Sequence, residues 1–194
     1  MKYTFLLLLT ALFPLTVVQA QTAAPLDEEL ARKSLSARPP RNPVKSSAPV
    51  VKRTHERRAD KGLSVEVLHR ADGSTEEHTF VPLPILFVVN SDQILDDVSR
   101  NNVSKLAAVM QEITAGSKAS FSIQGHTSAE GDAAANQQLS ERRAARILAL
   151  LQAQGVPAQT LNAIGLGEDV ASFPESAPEA QLQQDRRVLV VRMR

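Results

Sequence analysis

The sequence predicts an α/β fold, a two-layer sandwich in which helices cover one face of a mixed β-α-β-α-β-β sheet, preceded by a β-hairpin. From residue 63 onward, segments with a two-residue apolar period alternate with segments of helical period. Turn-forming residues separate these segments. The chain has 194 residues, of which 43% are hydrophobic, so it has room for one ordinary domain and additional segments.

A β-hairpin is predicted at residues 63–84. Its two halves alternate apolar with polar side chains around Asp72-Gly73, a dipeptide that favours a two-residue turn. In the register that such a turn imposes, the numbers of facing residues sum to 145, which places Val65 opposite Phe80. The alternation does not decide whether the hairpin joins the main sheet.

The remaining elements follow from changes in apolar period. A continuous apolar run at Ile85–Val89 is typical of a central strand that is covered on both faces. The first helical stretch follows Asp96-Asp97, whose charges favour a helix N-terminus, and both helical stretches end near a glycine. The predicted elements are helices at 98–113 and 132–154, strands at 119–124, 161–165 and 188–193, and an acidic loop at 168–185.

Two segments precede the hairpin. Residues 1–20 have the pattern of an export signal, with a basic start and an apolar run too short to span a bilayer. Residues 21–62 contain five prolines and ten basic against five acidic side chains. Apart from a short amphipathic stretch at Leu26–Leu35, this composition predicts a flexible tether of net charge +5. It is either a solvated spacer or a contact for the domain itself, anionic lipid or an anionic polymer. We expect the mature protein to be soluble and outside the inner membrane.

Composition excludes several classes of protein. The chain has no cysteine, which excludes a disulfide scaffold, a thiol enzyme, a thiolate metal site and a lipid-modified cysteine anchor. Six Phe, one Tyr and no Trp, with a net charge of +1, argue against nucleic-acid binding. His69 and His78 are not opposed in the predicted hairpin, so no metal site is expected there. No cofactor and no transmembrane segment of the mature chain are expected.

Four ordered motifs cover residues 85–194. They are Ile85-Leu86-Phe87-Val88-Val89-Asn90-Ser91, then Gly125-His126-Thr127, then Asn136-Gln137-Gln138-Leu139-Ser140-Glu141-Arg142-Arg143-Ala144, and finally Gly165-Leu166-Gly167-Glu168 with Asp185-Arg186-Arg187-Val188. The third fits the pattern Asn, two free, Leu-Ser, two free, Arg-Ala. In this order and spacing the segment resembles the OmpA-like C-terminal domain, a periplasmic module that holds outer-membrane proteins to peptidoglycan.

The resemblance implies binding without catalysis. In the family, the diaminopimelate residue of the stem peptide is held by an Asp that follows Gly-His-Thr and by the Arg of the Leu-Ser helix, which is Arg143 here. Helical geometry also selects Arg143, because it lies four residues from both Leu139 and Ile147 on the apolar stripe. From that position a guanidinium can bind a carboxylate through two parallel hydrogen bonds.

The sequence departs from the family at the residue that provides the negative charge of the site. Ser128 stands where the family has Asp, and a hydroxyl without charge assistance binds an ammonium more weakly by about 1 to 2 kcal/mol. Glu130 and Asp132, two and four residues further on, are both candidates to replace that carboxylate.

Other residues of the four motifs are expected near the ligand. Thr127 is expected to offer a backbone amide, Asn90 and Asn136 to hydrogen-bond beside the ligand, and one of Arg186 and Arg187 to line the pocket. The predicted ligand-binding residues are Arg143, Ser128, Thr127, Asn90, Asn136 and Arg187.

The sequence leaves one alternative function open. A cell-envelope protein-interaction module would keep the fold, lose peptidoglycan binding, and use the basic tether or the acidic loop to meet a protein partner. An enzyme is not expected, although His126, Ser128, Glu130 and Asp132 lie within seven residues. Neighbouring residues at one strand end rarely provide a nucleophile, its base and an oxyanion site together.

Overall fold

A computed structural model describes residues 22–37, 47–58 and 62–193. In chain order its elements are α1 (Glu28–Ser36), β1 (Val50–Arg58), β2 (Leu63–Arg70), β3 (Thr75–Leu83), α2 (Asp97–Ala115), β4 (Phe121–Gly125), α3 (Ala133–Ala153), a 3₁₀ turn (Ala158–Thr160), β5 (Leu161–Gly165), α4 (Glu179–Asp185) and β6 (Val188–Arg192). The strands form one sheet in the order β1-β2-β3-β6-β4-β5. Only β4 and β5 are parallel neighbours.

Helices α1, α2 and α3 pack on one face of this sheet. Leu35 of α1, Leu106 of α2 and Ile147 of α3 have no exposed surface and join Phe121 and Ile123 of β4 in one core cluster. Large apolar side chains buried in this way supply most of the stabilisation of such a layer. The predicted two-layer α/β sandwich with helices on one face is confirmed.

Capping residues set the ends of the two long helices. The Asp96 carboxylate accepts a hydrogen bond from the Ser99 amide at 2.6 Å, and Gly116 follows the last turn of α2. The Asp132 carboxylate accepts from the Ala135 amide at 2.8 Å and begins α3 in the same way. A side chain at this position satisfies an amide that the helix leaves without a partner.

The predicted central strand at 85–89 is wrong. Only an isolated bridge between Phe87 and Ile94 forms there, and 84% of the Val89 surface is exposed. Its place in the sheet belongs to β3, which continues through Pro82 and pairs with β6. Pro82 lies beyond the last residue of β3 that pairs with β2, so the missing amide of proline breaks no pairing with that strand.

The predicted register of the hairpin is also wrong by one residue. Val65 faces Thr79 and Ser64 faces Phe80, so facing numbers sum to 144. The cause is a three-residue turn in which the Arg70 amide donates to the Ser74 carbonyl at 2.9 Å and Gly73 takes φ 81°. A shift of one residue exchanges the faces of a strand. The hairpin joins the main sheet through β3 and β6.

The predicted tether contains two regular elements. Helix α1 inserts Ala31 and Leu35 into the core, Leu26 joins them from the segment before the helix, and β1 forms the edge of the sheet beside β2. The tether prediction therefore needs correction at 50–58, where β1 pairs with β2. Helix α1 lies in the amphipathic stretch that the sequence sets apart, and its apolar face is buried on the core. The predicted export signal at 1–20 lies outside the described residues.

The predicted acidic loop also contains a helix, α4. Pro178 precedes its first residue, and a proline there is a common helix start signal. Leu182 is buried, and the Asp185 carboxylate accepts hydrogen bonds from the Ser172 and Phe173 amides at 2.9 to 3.0 Å. In the described ranges, no helix combines the length and apolar character that crossing a bilayer requires.

Candidate ligand-binding site

A cavity of about 540 Å³ lies at the end of the sheet where β3 and β4 end and β6 begins. Its walls come from the loop after β3, the loop after β4, α3 and α4. The apolar wall includes Ile85, Leu86, Phe87, Val89, Leu95 and Leu139, and the polar wall includes Asn90, Thr127, Ser128, Glu130, Asn136, Arg143, Glu179, Gln183 and Arg186. The site therefore offers both charged groups and an apolar surface.

Two glycines allow α3 to lie close to the sheet. A Cβ on Gly125 would stand 2.2 Å from the Ser140 carbonyl oxygen, and one on Gly165 would stand 2.4 Å from the Glu141 amide nitrogen. Only a residue without a side chain tolerates such an approach. Gly125 and Gly165 thereby fix the distance between α3 and the sheet, and with it the position of Arg143.

Arg143 lies inside the cavity with 8% of its surface exposed. Its Nε donates to the Ser91 carbonyl at 3.0 Å, and its guanidinium carbon lies 4.8 Å from the centre of the Phe87 ring. Among the described residues, its terminal nitrogens Nη1 and Nη2 have no hydrogen-bond partner. The hydrogen bond at Nε thus fixes the orientation of the guanidinium, and its two terminal nitrogens remain available to a ligand.

Burial, together with the positive charges of Arg186 and Arg142, lowers the pKa of Arg143 to about 10. Burial acts in this way because it disfavours the charged form. A pKa of about 10 still leaves the side chain protonated at neutral pH. The cavity therefore contains a desolvated cation that would gain from an anionic ligand.

Of the two candidate carboxylates in the loop after β4, one lines the cavity and the other does not. Glu130 lines the cavity, where its Oε2 accepts from the Ser128 hydroxyl at 3.1 Å. Asp132 does not line the cavity, and its carboxylate is used to cap α3. Glu130 is therefore the acidic side chain of this loop that a ligand can reach.

Asn136 and Thr127 hold the same loop in place. Asn136 Nδ2 donates to the Glu130 carbonyl at 2.8 Å and to the Glu168 carboxylate at 2.7 Å. The Thr127 amide donates to the Gly167 carbonyl at 2.9 Å, so the expectation that this amide serves a ligand is wrong. The Thr127 hydroxyl, in contrast, is buried and has no partner.

Arg186 lines this cavity, and Arg187 does not. Arg187 faces the opposite side of the sheet, where it pairs with Asp185 at 3.2 Å and its Nη2 lies 3.4 Å from His55 Nδ1. The expected ligand role of Arg187 is corrected accordingly, because successive residues entering a strand point to opposite faces.

The remaining predicted residue, Asn90, lines the rim of the cavity. It takes φ 55° in the turn that the Ser91 amide closes by donating to the Val88 carbonyl at 3.0 Å. Asparagine tolerates this left-handed backbone better than most residues. Of the six predicted residues, the structure brings together Arg143, Ser128, Thr127, Asn90 and Asn136.

Helix α4 adds residues that the sequence did not single out. Glu179 and Gln183 reach the cavity from it, and both contact Arg186. The hydrogen bond from Arg186 lowers the pKa of Glu179, and hydrogen bonds to Glu179 and Glu130 raise the pKa of Arg186. The signal that could have found them is Pro178 as a helix start.

His126, the middle residue of the second motif, lies away from the cavity on the other face of the sheet. It is 2% exposed, and both of its ring nitrogens are without a hydrogen-bond partner in the described part of the chain. Its ring centre is 5.8 Å from that of His55. Burial lowers the pKa of His126 to about 3, helped by the charge of Arg187.

This pKa predicts a pH-dependent stability. Unfolded His126 would titrate near 6.5, so below that pH the unfolded state binds more protons and the free energy of unfolding falls as pH falls toward 3. Between pH 7 and 4.5, we expect the wild type to lose about 2 kcal/mol more than His126→Gln. Urea unfolding at both pH values measures this, with His69→Gln as control. Equal losses in wild type and His126→Gln would contradict the buried neutral histidine.

Comparison with known proteins places this geometry in a family. The Pseudomonas aeruginosa outer-membrane lipoprotein YfiB is 32% identical over 107 residues, which cover 55% of this chain and 61% of that protein. The chain therefore matches less than two thirds of the length of this relative.

Two solved structures share the fold. The C-terminal domain of Helicobacter pylori MotB has a TM-score of 0.51 at 18% identity, covering 59% of this chain and 84% of that one. A putative MotB-like protein of Desulfovibrio vulgaris has a TM-score of 0.50 at 22% identity, covering 61% and 73%. The model of the OmpA family matches residues 86–185. Because this match spans more than half of the sequence, the chain belongs to the OmpA family.

Proposed function

We propose that the chain binds peptidoglycan non-covalently and without catalysis, by holding the diaminopimelate residue of the stem peptide in the cavity beside α3. The observation that carries this proposal is Arg143: a buried guanidinium, fixed at Nε, whose two terminal nitrogens are free of hydrogen bonds in the described residues and line a cavity. A forked donor of this kind matches a carboxylate.

Diaminopimelate suits the site because its free end carries a carboxylate and an ammonium together. The carboxylate would bind Arg143, and the aliphatic chain of the residue would lie along the apolar wall that includes Phe87 and Leu139.

The envelope location is part of the same proposal. Kinship with an outer-membrane lipoprotein supports a protein that is exported by residues 1–20, resides in the periplasm and associates with the outer membrane. In this arrangement residues 21–62 connect that location to the domain at 63–194, with α1 and β1 packed on it.

The contacts of Ser128 support a positioning role within the proposed binding site. Its hydroxyl donates to Glu130 and accepts from Arg186, so it links these two charged side chains on the cavity wall.

A second candidate function is a protein-interaction module of the envelope. The observation that favours it is a larger cleft, of about 1110 Å³, on the sheet face opposite the helices. It lies between β1 and the loop at 166–172, with Phe80 and Leu189 among its lining residues. A binding experiment on peptidoglycan separates the two functions.

The experiment is co-sedimentation of the purified protein with insoluble peptidoglycan of two kinds. We expect it to pellet with diaminopimelate-type walls and at least about tenfold less with lysine-type walls, because lysine lacks the carboxylate that Arg143 would bind. No pelleting with either wall would overturn the proposal in favour of the second candidate. Equal pelleting with both walls would show that the cavity does not recognise the free carboxylate of diaminopimelate.

A further inference from the structure

Three charged side chains form a connected group on the polar wall of the cavity. Arg186 forms ion pairs with Glu130, from the loop after β4, and with Glu179, from α4. Its Nε also lies 3.2 Å from the Ser128 hydroxyl, which marks the position of the family's Asp. The group therefore surrounds the place where the family carboxylate is missing.

The two carboxylates of this group are not equivalent. Glu179 uses both oxygens on Arg186, with Oε1 on Nη1 and Oε2 3.1 Å from Nη2, so the pair is bidentate and self-contained. Glu130 uses only Oε2, which accepts from Arg186 and from Ser128. In the described part of the chain, Oε1 of Glu130 has no hydrogen-bond partner.

The charges of the group add to one negative charge, from two carboxylates and one guanidinium. Glu179 compensates Arg186 through its bidentate pair, so the remaining charge belongs to Glu130. Arg143 provides a separate positive charge in the same cavity. Beside the Arg186–Glu179 pair, the cavity wall thus carries one further carboxylate, Glu130, and one further guanidinium, Arg143, which together complement a ligand end that has both an ammonium and a carboxylate.

Independent features of the cavity point to a ligand. Arg143 is more than nine-tenths buried with its terminal nitrogens unpaired among the described residues. Thr127, 4% exposed, lines the same cavity with a hydroxyl that has no partner. Buried polar groups are rarely left unsatisfied, so a ligand in the cavity would give the Thr127 hydroxyl a partner that the described residues do not supply.

We propose that Glu130 is the acceptor for the ligand's ammonium and replaces the family's Asp, while Arg186 and Glu179 are positioning residues. Arg186 and the Ser128 hydroxyl hold Oε2 of Glu130, which turns Oε1 to the ligand. Glu179 cancels the charge of Arg186 and so preserves the negative charge of Glu130. This inference rests on the proposed function, since it assigns the second end of the same ligand.

The test compares two labelled stem peptides by fluorescence anisotropy. One contains diaminopimelate, and the other contains 2-aminopimelate, which keeps the terminal carboxylate and lacks the ammonium. We expect the wild type to prefer the diaminopimelate peptide by about tenfold. Glu130→Gln should bind both peptides within about twofold of each other, because the acceptor charge is gone.

A charge rescue tests the positioning roles. Glu179→Gln leaves the charge of Arg186 to cancel that of Glu130, so the preference should fall although Glu179 does not bind the ammonium. Glu179→Gln combined with Arg186→Gln restores one net negative charge, and the Ser128 hydroxyl still holds Oε2 of Glu130, so most of the preference should return. Glu175→Gln, an exposed glutamate outside the cavity, is the matched control.

The outcomes separate this inference from the proposed function. If the wild type binds neither peptide, the proposed function fails and this inference fails with it. If it binds both but Glu130→Gln keeps the preference, only the role of Glu130 is overturned. A double variant that binds no better than Glu179→Gln overturns the charge compensation. Circular dichroism melting confirms that each variant is folded.

Discussion

Replacement of Arg143 by alanine is expected to weaken binding to diaminopimelate-type peptidoglycan by about 30-fold or more. Removal of one member of a buried, hydrogen-bonded charge pair is costly because the other member keeps its desolvation penalty. Arg143 also orders its surroundings, since its Nε binds the Ser91 carbonyl and its guanidinium stacks on Phe87. Co-sedimentation of the variant over a range of protein concentrations measures the loss.

Two further variants make this result specific. Arg143→Lys should remain at least about tenfold weaker than wild type, because an ammonium is a point charge and cannot form two parallel bonds to a carboxylate. Arg146→Ala removes an exposed arginine from the same helix and should bind as the wild type does. Unchanged binding by Arg143→Ala would show that the cavity beside α3 is not the peptidoglycan site.

Replacement of Gly125 by alanine is expected to destabilise the protein by about 3 kcal/mol or more. The added Cβ would stand 2.2 Å from the Ser140 carbonyl oxygen and 3.0 Å from its carbon, and both are backbone atoms that cannot rotate away. Either α3 moves off β4 or the strand bends. The free energy of unfolding in urea measures the effect.

Gly116 provides the matched control for this substitution. It follows α2 with φ −105°, and a Cβ on it would meet nothing within 4 Å. Gly116→Ala should therefore stay within about 0.5 kcal/mol of the wild type. If Gly125→Ala were as stable as Gly116→Ala, the close packing of α3 on β4 would be incorrect.

Local signals predicted the α2–β4–α3–β5 portion of the fold well. The caps Asp96 and Asp132 mark helix starts, and the predicted strand at 161–165 has the bounds of β5. These signals are contained within a few residues, so they need no knowledge of the rest of the chain.

The errors arose where the outcome depends on distant partners. The apolar run at 85–89 has strand composition, but β3 already holds the place beside β6. Helix α1 is marginal by itself and is stable because its Ala31 and Leu35 reach a core formed by residues more than 40 positions away. The turn at Gly73 accommodates three residues instead of two, a choice that the dipeptide alone does not determine.

For the site too, local spacing predicted some residues correctly, and contacts between distant residues decided the others. Helical spacing was sufficient to place Arg143, because the stripe from Leu139 to Ile147 can be counted on one element. Spacing could not separate Glu130 from Asp132, since their roles depend on which carboxylate caps α3. It also could not give Glu179 a role, because the contact with Arg186 exists only after α4 forms.

The residues before α1 are attached to the start of α2, and this attachment has a mechanical consequence. The Ala23 amide binds the Asp96 carboxylate at 2.8 Å, and Leu95, the neighbour of Asp96, lines the cavity. A pull between residue 22 and a polymer held on Arg143 would therefore load the short stretch from Ser91 to Asp96. Thr79 of β3 and Arg192 of β6 also hold the Ser34 and Leu35 carbonyls of α1, so the sheet would share this tension with α2.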